Sequence, residues 1–346
     1  MARLRATSAD VARAAGVSRT TVSFVLNGRP GTAISQDTRR KVWATARELG
    51  YTPHAPARQL AAGATMTLGL VFRQYPEQLA ADALLAETLR GMTAAAQGAG
   101  YRVLVESVPP AASYFDLLRA GRVDGLVISG PRSSDAQEDG GIEELPVVVQ
   151  GSLPGTSFPS VDVDNVAAAR EAVAYLTGLG HRRIACVTNA PLVYTAARER
   201  LEGYRVALAE SGLREDPDLI AEGDFDAASG HRAMENLLRH GRRFTAVFAA
   251  NDMVAMGVIG ALRAADLRVP HDVSVVGFDD IPLAAYFDPP LTTTRLPARE
   301  LGGSAGHVLI EYVAGLAVSS RTLLPTELIV RGSAAPPFIH AHEEVA

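Results

Sequence analysis

The sequence predicts a small three-helix head followed by a larger α/β core of parallel, doubly wound sheets in two halves. Three observations lead to this fold class. Two short amphipathic stretches flank a glycine near the N-terminus, and a third stretch follows them. From Thr67 onward, apolar runs of strand length alternate with stretches of helical period. The charge is also divided. Residues 1–63 carry ten basic and three acidic side chains, a net +7, so the remainder of a chain at −5 carries −12.

The overall composition excludes several classes of protein. Hydrophobic residues make up 47% and charged residues 21% of the 346 residues, which excludes a disordered or collagen-like chain. The one cysteine, Cys186, excludes an intramolecular disulfide and a Cys-rich zinc site. We find no signal peptide and no apolar stretch that could span a bilayer, so we expect a cytoplasmic protein without a membrane partner. A basic head indicates a polyanionic partner, although charge alone leaves an ordinary solvated surface equally open.

The first helix of the head is predicted to begin after Thr7. Thr7 and Asp10 have the spacing of a capping box, in which each side chain bonds the other residue's backbone amide. Its predicted apolar face consists of Val11, Ala14 and Ala15. Gly16 can adopt the left-handed backbone that ends such a helix.

A second and a third helix follow the glycine. Ser18 can cap a helix over residues 19–26, with Val22, Val25 and Leu26 facing inward. The third helix is predicted from Ser35 to Gly50, through Val42, Trp43 and Leu49. A helix, a glycine turn and a second helix form a helix-turn-helix pattern, although the spacing alone also fits a generic three-helix bundle.

The core is predicted from its alternating strands and helices. The predicted strands are TLGLVF (67–72), RVLVES (102–107), GLVISG (125–130), VVVQ (147–150), RIACVT (183–188), AVFAA (246–250), VSVVGF (273–278) and TELIV (326–330). The predicted helices cover 83–99, 166–179, 196–211 and 252–265. This alternation is typical of parallel doubly wound sheets, and two groups of strands indicate two halves with a cleft. The first strand lacks a Gly-rich phosphate fingerprint, which disfavours a nucleotide-binding enzyme.

Polar residues follow several of these strands. Asn251 and Asp252 follow AVFAA, Asp279 and Asp280 follow VSVVGF, and Ser129 ends the third strand. Ligands of such folds bind at the carboxyl ends of the strands, so these residues are candidate ligand contacts. Read alone, however, Asn251 is as well explained as a helix cap.

Three segments of the head carry a specific resemblance. They are DVARAAGVSRTTVSFVLNG (10–28), ISQDTRRKVWATARELGYTPH (34–54) and ARQL (57–60). Residues 6–60 closely resemble the DNA-binding head of the lactose/galactose repressor (LacI/GalR) family of transcriptional regulators. The resemblance implies that the second helix enters the major groove of DNA and that a hinge helix follows the head.

The resemblance assigns residues to DNA. Arg19, Thr20 and Phe24 match positions that face base edges, and the Arg19 fork suits guanine O6 and N7. Phe24 departs from the family, in which Arg or His often occupies this position. A phenyl ring cannot hydrogen-bond a base, so Phe24 would contact a thymine methyl or pack on the DNA backbone. The residues assigned to phosphates are Ser18, Thr21 and Asn27. The residues assigned to the minor groove, from the hinge segment PHAPARQLAAG (53–63), are Ala57, Arg58 and Leu60, with Leu60 wedging a base step.

The core resembles the same family's effector-binding core, which is similar in fold to periplasmic sugar-binding proteins. The matching motifs are LGHRRIA (179–185), RLEGY (200–204), ANDMVAMG (250–257), SVVGFDD (274–280) and PPLTTTR (289–295). By this resemblance Arg200, Asn251 and Asp279 contact a sugar, Phe225 packs on it, and Ser129 lines the cleft. A planar guanidinium and a carboxylate suit paired hydroxyl groups.

The cleft also departs from the family. Gly151 replaces a frequent aspartate, and Arg73 and Gln74 stand where many relatives carry small polar residues. Arg73 in the effector site would indicate an anionic effector such as a sugar phosphate. Alternatively, Arg73 is solvated or paired with an acidic neighbour, and the sequence leaves these interpretations open.

The resemblance also implies the domain boundaries. We expect a helix-turn-helix domain at 1–52, a hinge at 53–65, a core at 66–337 and a tail at 338–346. We expect three crossings between the halves of the core. One half then takes 66–164 and 295–324, and the other takes 165–294 and 325–337. The tail lacks leucine heptads, which disfavours a coiled-coil tetramer.

The predicted function is a regulator, in our expectation a repressor. It would bind a palindromic operator in double-stranded DNA as a homodimer, under the control of a small-molecule effector, with a sugar favoured. The alternatives are a sugar-binding protein without DNA regulation and a corepressor-dependent regulator that binds a nucleobase or sugar phosphate. We expect no enzyme, cofactor or metal. His181 lies in a predicted turn and Cys186 in an apolar strand, where structural roles are expected.

Overall fold

A computed structural model describes residues 6–26, 33–51, 64–109, 112–138, 145–241 and 243–338. The chain divides into two compact units, Met1–Met66 and Thr67–Ala346. Four predicted contact residues lie outside the described residues, namely Asn27, Ala57, Arg58 and Leu60. None of the helices within the described ranges is long and apolar enough to cross a membrane.

The first unit contains three helices, α1 (Ser8–Ala15), α2 (Arg19–Leu26) and α3 (Gln36–Glu48). The predicted capping box is confirmed. The backbone amide of Thr7 donates to Asp10 Oδ2 at 3.0 Å, and that of Asp10 donates to Thr7 Oγ1 at 3.3 Å. Gly16 has a φ of +68° and ends α1 as predicted.

The hydrophobic core of this unit differs in part from the prediction. Its buried residues are Val11, Ala12, Ala15, Val22, Val25, Leu26, Val42 and Ala46. Ala12 takes the buried position that was predicted for Ala14, and Ala14 is exposed. Trp43 is 45% exposed and Leu49 40%, because α3 presents Val42 and Ala46, one turn apart, to the core.

The second unit contains two six-stranded sheets. The first sheet has the order β11-β5-β4-β3-β1-β2 and the second has the order β12-β10-β9-β8-β6-β7. The strands of the first sheet are β1 (Thr67–Phe72), β2 (Arg102–Ser107), β3 (Gly125–Ser129), β4 (Val147–Gln150), β5 (Ser160–Val163) and β11 (Arg321–Leu324). Those of the second are β6 (Ile184–Val187), β7 (Ile220–Ala221), β8 (Ala246–Ala249), β9 (Ser274–Asp279), β10 (Thr292–Arg295) and β12 (Glu327–Ile329). The recorded strand pairs are parallel except β10 with β12, in agreement with the predicted doubly wound core.

Helices cover the sheets. They are α4 (Pro76–Ala81), α5 (Leu85–Gly98), α6 (Asp116–Arg119), α7 (Asn165–Gly178), α8 (Thr195–Glu210), α9 (Ala227–Arg239), α10 (Asp252–Ala264) and α11 (Ala298–Val313). Helices α5 and α11 pack together beside the first sheet, while α7 packs on α8 and α9 on α10 beside the second. Gly91 permits the close packing of α5 on α11, because a Cβ at this position would lie 1.9 Å from the Arg299 carbonyl oxygen.

The chain passes between the two sheets three times. The crossings follow β5, β10 and β11, at Val163, Arg295 and Leu324. The paired strands β5 and β11 end together, since Val163 is the register partner of Leu324. On the second sheet Arg295 faces Glu327 across β10 and β12. The halves are therefore joined by three short connections at strand ends.

Candidate functional site

A cavity lies where strands of both sheets end. From the first sheet it is lined by Gln74, Ser129 and Gln150, which follow or end β1, β3 and β4. From the second sheet it is lined by Asn189, Asn251 and Asp279, which follow or end β6, β8 and β9. The cavity thus occupies the edge at which parallel α/β sheets bind ligands, as the sequence predicted.

Arg200 of α8 lines this cavity and is held by four contacts. Its Nε donates to Asn165 Oδ1 at 3.0 Å, and its Nη1 donates to the Ala250 carbonyl at 2.6 Å. The same Nη1 lies 3.4 Å from Asp279 Oδ1. The guanidinium carbon stacks 3.8 Å from the centroid of the Phe278 ring. Arg200 is only 6% exposed, so its orientation is fixed before any ligand binds.

Asp279 is the carboxylate partner of Arg200. Burial raises the pKa of Asp279 well above its ordinary value, since desolvation outweighs the opposing effect of Arg200, and the Asp252 and Asp82 carboxyls add to the rise. Its φ of +121° is a strained backbone conformation for a residue with a side chain. Burial likewise raises the pKa of Asp252 to about 7, although Asp252 accepts bonds from Thr293 Oγ1 and the Ile281 amide.

Asn251 and Phe225 meet at the same cavity. Asn251 Oδ1 accepts from the Val254 amide at 2.7 Å and caps α10, while Nδ2 donates to the Phe225 carbonyl at 3.3 Å. Phe225 stands edge-on to Tyr194, with ring centroids 4.9 Å apart. Asn251 therefore caps a helix and lines the cavity at once, and the two aromatic rings form an apolar wall.

The first unit presents a polar face on α2. Arg19 and Thr20 are exposed and Phe24 is half-buried, whereas Val22 and Val25 lie in the core. The Ser18 hydroxyl accepts from the Thr21 amide at 3.0 Å and lies 2.8 Å from the Thr21 hydroxyl. Ser18 thus caps α2, as its position in the sequence predicted.

Comparison with known proteins matches both units. Residues 7–54 match the family described as bacterial regulatory proteins, lacI family, and residues 173–334 match a periplasmic binding protein-like domain. The HTH-type transcriptional repressor CytR of Escherichia coli (strain K12) is 36% identical over 95% of this chain and 96% of its own length. The HTH-type transcriptional regulator CelR of Thermobifida fusca is 34% identical over 96% of this chain and 99% of its own length. The solved lac repressor dimer bound to operator and the anti-inducer ONPF is 32% identical, with a TM-score of 0.86 over 96% of this chain and 100% of that chain.

This chain belongs to the LacI family. It is a DNA-binding transcriptional regulator with an N-terminal helix-turn-helix head and a periplasmic-binding-protein-like core. Its relatives are transcriptional regulators. The predicted family and fold class are confirmed.

The geometry of this LacI-family core corrects one reading of the sequence. Arg73 is 3% exposed and is not among the residues that line the cavity. Its Nε lies 3.0 Å from Asp135 Oδ1, and its guanidinium carbon lies 4.3 Å from the Tyr114 ring centroid. The Tyr114 hydroxyl donates to the same carboxylate at 2.9 Å. Arg73 is therefore neutralised within the protein, which is the acidic-neighbour alternative, and it gives no support to an anionic effector.

Several cavity residues of this LacI-family chain were missed by sequence reasoning. They are Asp82, Gln150, Asp162, Asn165, Asn189 and Tyr194. Asn165 links Asp162 to Glu199, because its Nδ2 lies 3.3 Å from Asp162 Oδ2 and 3.1 Å from Glu199 Oε2. Burial raises the pKa of Asp162 to about 7. Position at a strand end could have indicated Gln150 and Asn189, whereas Asp82 follows a short helix and has no such signal.

Two residues with reactive side chains have structural contacts. His181 Nδ1 lies 2.8 Å from Thr245 Oγ1, and Nε2 lies 2.9 Å from the Ala335 carbonyl, which ties its turn to the last described segment. Cys186 is fully buried in β6, and burial raises the pKa of its thiol to about 12. A thiol with so high a pKa is a poor nucleophile.

Proposed function

We propose that this protein is a repressor whose affinity for operator DNA is controlled by a small molecule bound in the core cavity. The observation that carries the proposal is the buried Arg200–Asp279 pair, which lines a cavity bounded by both halves of the core. A ligand that contacts both halves favours one arrangement of the halves over another, which is the differential affinity that allostery requires. The protein acts in the cytoplasm, where its DNA lies, and catalyses no reaction.

The DNA side of the proposal rests on α2. Arg19 and Thr20 are exposed there and Phe24 half-exposed, on the face away from the helical core, so they can reach base edges in a major groove. Arg19 reads guanine, and Thr20 and Phe24 contact bases or a thymine methyl. Ser18, Thr21 and Asn27 contact phosphates, and Ala57, Arg58 and Leu60 enter the minor groove. Two copies of the chain bind the two halves of a palindrome.

The effector side rests on the cavity. Arg200 and Asp279 bond hydroxyl groups of the effector, while Phe225 packs on an apolar face of it. Asn251 and Ser129 complete the contacts. We favour a sugar, because the solved structure of the relative CelR is a complex with cellobiose and because the cavity joins polar groups to an aromatic wall.

Selection of random DNA duplexes by the full chain tests the proposal, with sugars and nucleosides added one at a time. We expect one enriched palindrome whose recovery changes with one class of compound, and that compound should be recovered chemically unchanged. Arg19→Ala should relax the choice at one base pair in each half-site and weaken binding by about 1–3 kcal/mol. Equal weakening on random DNA would refute base reading by Arg19. Conversion of the compound would refute a purely regulatory role.

A further inference from the structure

The cavity has an uneven balance of hydrogen-bond donors and acceptors. Three amide oxygens that belong to cavity-lining residues are buried without a partner among the described residues, namely Gln74 Oε1, Gln150 Oε1 and Asn189 Oδ1. Gln74 is 7% exposed and Asn189 6%. Buried acceptors normally have partners, because an unsatisfied one costs free energy. These three oxygens therefore need donors that the described residues do not supply.

Several donors around the cavity are in contrast already engaged. The Tyr194 hydroxyl donates to the Arg73 carbonyl at 3.0 Å, and the Thr195 hydroxyl donates to the Pro131 carbonyl at 3.3 Å. The Asn251 amide donates to the Phe225 carbonyl, as described above. The Nε and Nη1 atoms of Arg200 donate to protein oxygens.

The orientation of Gln74 follows from its neighbour. Its side-chain amide donates to the carboxyl of Asp82, which leaves Oε1 as the atom without a partner. Turning the amide over would set two oxygens against each other, so Gln74 presents an acceptor.

Charge points in the same direction. The carboxyl groups of Asp82, Asp162 and Asp279 line the cavity, and Arg200 is the only cationic side chain among the described residues that line it. Arg200 already lies against Asp279, and Arg73 is paired with Asp135 away from the cavity. An anionic ligand would therefore meet three carboxyl groups and a single arginine that already faces one of them.

We infer that the effector is a donor-rich molecule without an anionic group, selected by the amide oxygens of Gln74, Gln150 and Asn189. Polyhydroxy sugars, amino sugars and nucleosides have this chemistry, whereas their phosphates and acids are rejected. Gln74 follows β1 and Gln150 ends β4 of the first sheet, whereas Asn189 follows β6 of the second, so a ligand that satisfies all three oxygens bonds both halves. The inference rests on the proposed function, since it assumes that the cavity is the effector site.

A paired ligand panel tests the inference on the full chain. Thermal unfolding is measured with cellobiose, glucose, glucosamine and adenosine, and with cellobionate, gluconate, glucose 6-phosphate and adenosine 5′-phosphate. We expect stabilisation only by uncharged or amino-bearing compounds, and at least tenfold weaker binding of the matching anion. Binding of an anion as tight as that of its parent would overturn the inference and leave the proposed function intact. Stabilisation by no compound would overturn the proposed function and the inference with it.

Two substitutions at one position then test the acceptor role. Gln150→Met removes the amide at similar length and should weaken the best uncharged ligand up to about tenfold, as expected for one lost hydrogen bond. Gln150→Glu keeps acceptor oxygens only and should retain the affinity. Gln97→Met, on an exposed helix position, is the matched control and should change nothing. Equal losses in Gln150→Met and Gln150→Glu would show that this side chain donates, and would overturn the inference.

Discussion

A contact between the two halves of the core offers a direct test of how they are coupled. Arg132 lies in the loop after β3, and its Nη2 donates to the Tyr194 hydroxyl at 2.7 Å and to the Arg73 carbonyl at 3.0 Å. Its guanidinium carbon also lies 4.7 Å from the Tyr194 ring centroid. Tyr194 follows β6 of the second sheet, so Arg132→Ala removes a polar link between the halves and leaves the cavity lining unchanged.

The magnitude follows from what is lost and what remains. A hydrogen bond to a charged group contributes roughly 1.5–3 kcal/mol when buried. Arg132 is half-buried. In the variant, two backbone hydrogen bonds between the halves would remain, from the Ser133 amide to the Val193 carbonyl and from the Thr195 amide to the Pro131 carbonyl. We therefore expect the arrangement of the halves seen in the structure to lose about 1–2 kcal/mol, which corresponds to an effector affinity roughly 5- to 30-fold lower if the effector binds that arrangement.

Two measurements check this prediction. Calorimetric titration gives the effector affinity, and small-angle X-ray scattering of the ligand-free chain gives its radius of gyration, which should increase. Arg119→Ala removes an arginine that is 52% exposed and bridges only one turn of its own helix, so it serves as the matched control. An Arg132→Ala chain with the control's radius and affinity would refute the reasoning that this contact couples the halves.

Three further predictions concern stability. Burial raises the pKa of Asp252 from its ordinary value of 3.8 to about 7 in the folded protein, so the free energy of unfolding should fall as the pH rises between these values. Asp252→Asn should reduce that fall by roughly 3 kcal/mol between urea titrations at pH 4.5 and pH 8, and an unchanged difference would contradict it. Gly257→Ala should cost about 1–3 kcal/mol in thermal unfolding, because its Cβ would lie 1.9 Å from the Ala227 carbonyl oxygen. Gly98→Ala should leave the stability unchanged, because a Cβ at Gly98 would have open space around it. Equal losses of stability in the two variants would refute the packing argument. Thr7→Ala should speed amide exchange in α1 by removing a cap worth about 1 kcal/mol, whereas unaltered exchange would show that the cap contributes little.

Much of the fold could be predicted from local patterns. The apolar run TLGLVF became β1 with the predicted bounds, because a short apolar run between turns fits a strand buried on both faces. Strand β10 was not predicted, since its sequence TTTR has no apolar run. Thr292, Thr293 and Thr294 are nevertheless fully buried, and the Thr293 hydroxyl bonds Asp252. Such a strand is specified by distant polar partners that no local pattern contains.

The candidate site was predictable only in part, for a related reason. Arg200 and Asp279 lie in motifs on which the family resemblance rests, and in the structure Arg200 Nη1 lies 3.4 Å from Asp279 Oδ1. Arg73 was equally visible in the sequence, but its partner Asp135 lies 62 positions later, so the pairing could not be read locally. The unpartnered oxygens of Gln74 and Asn189 are a property of tertiary packing and have no signature in sequence.

The edge strands of the two sheets have a consequence for how the chain is made. Strands β11 and β12 lie next to each other near the end of the chain, yet one completes the first sheet and the other the second. Neither half can finish its sheet until synthesis has passed the residues of its last strand, Arg321–Leu324 for the first half and Glu327–Ile329 for the second. At a synthesis rate of about 5–20 residues per second, the core is completed tens of seconds after the head has been synthesised. A chain that ends just after residue 320 therefore lacks both β11 and β12, which are edge strands of the first and the second sheet.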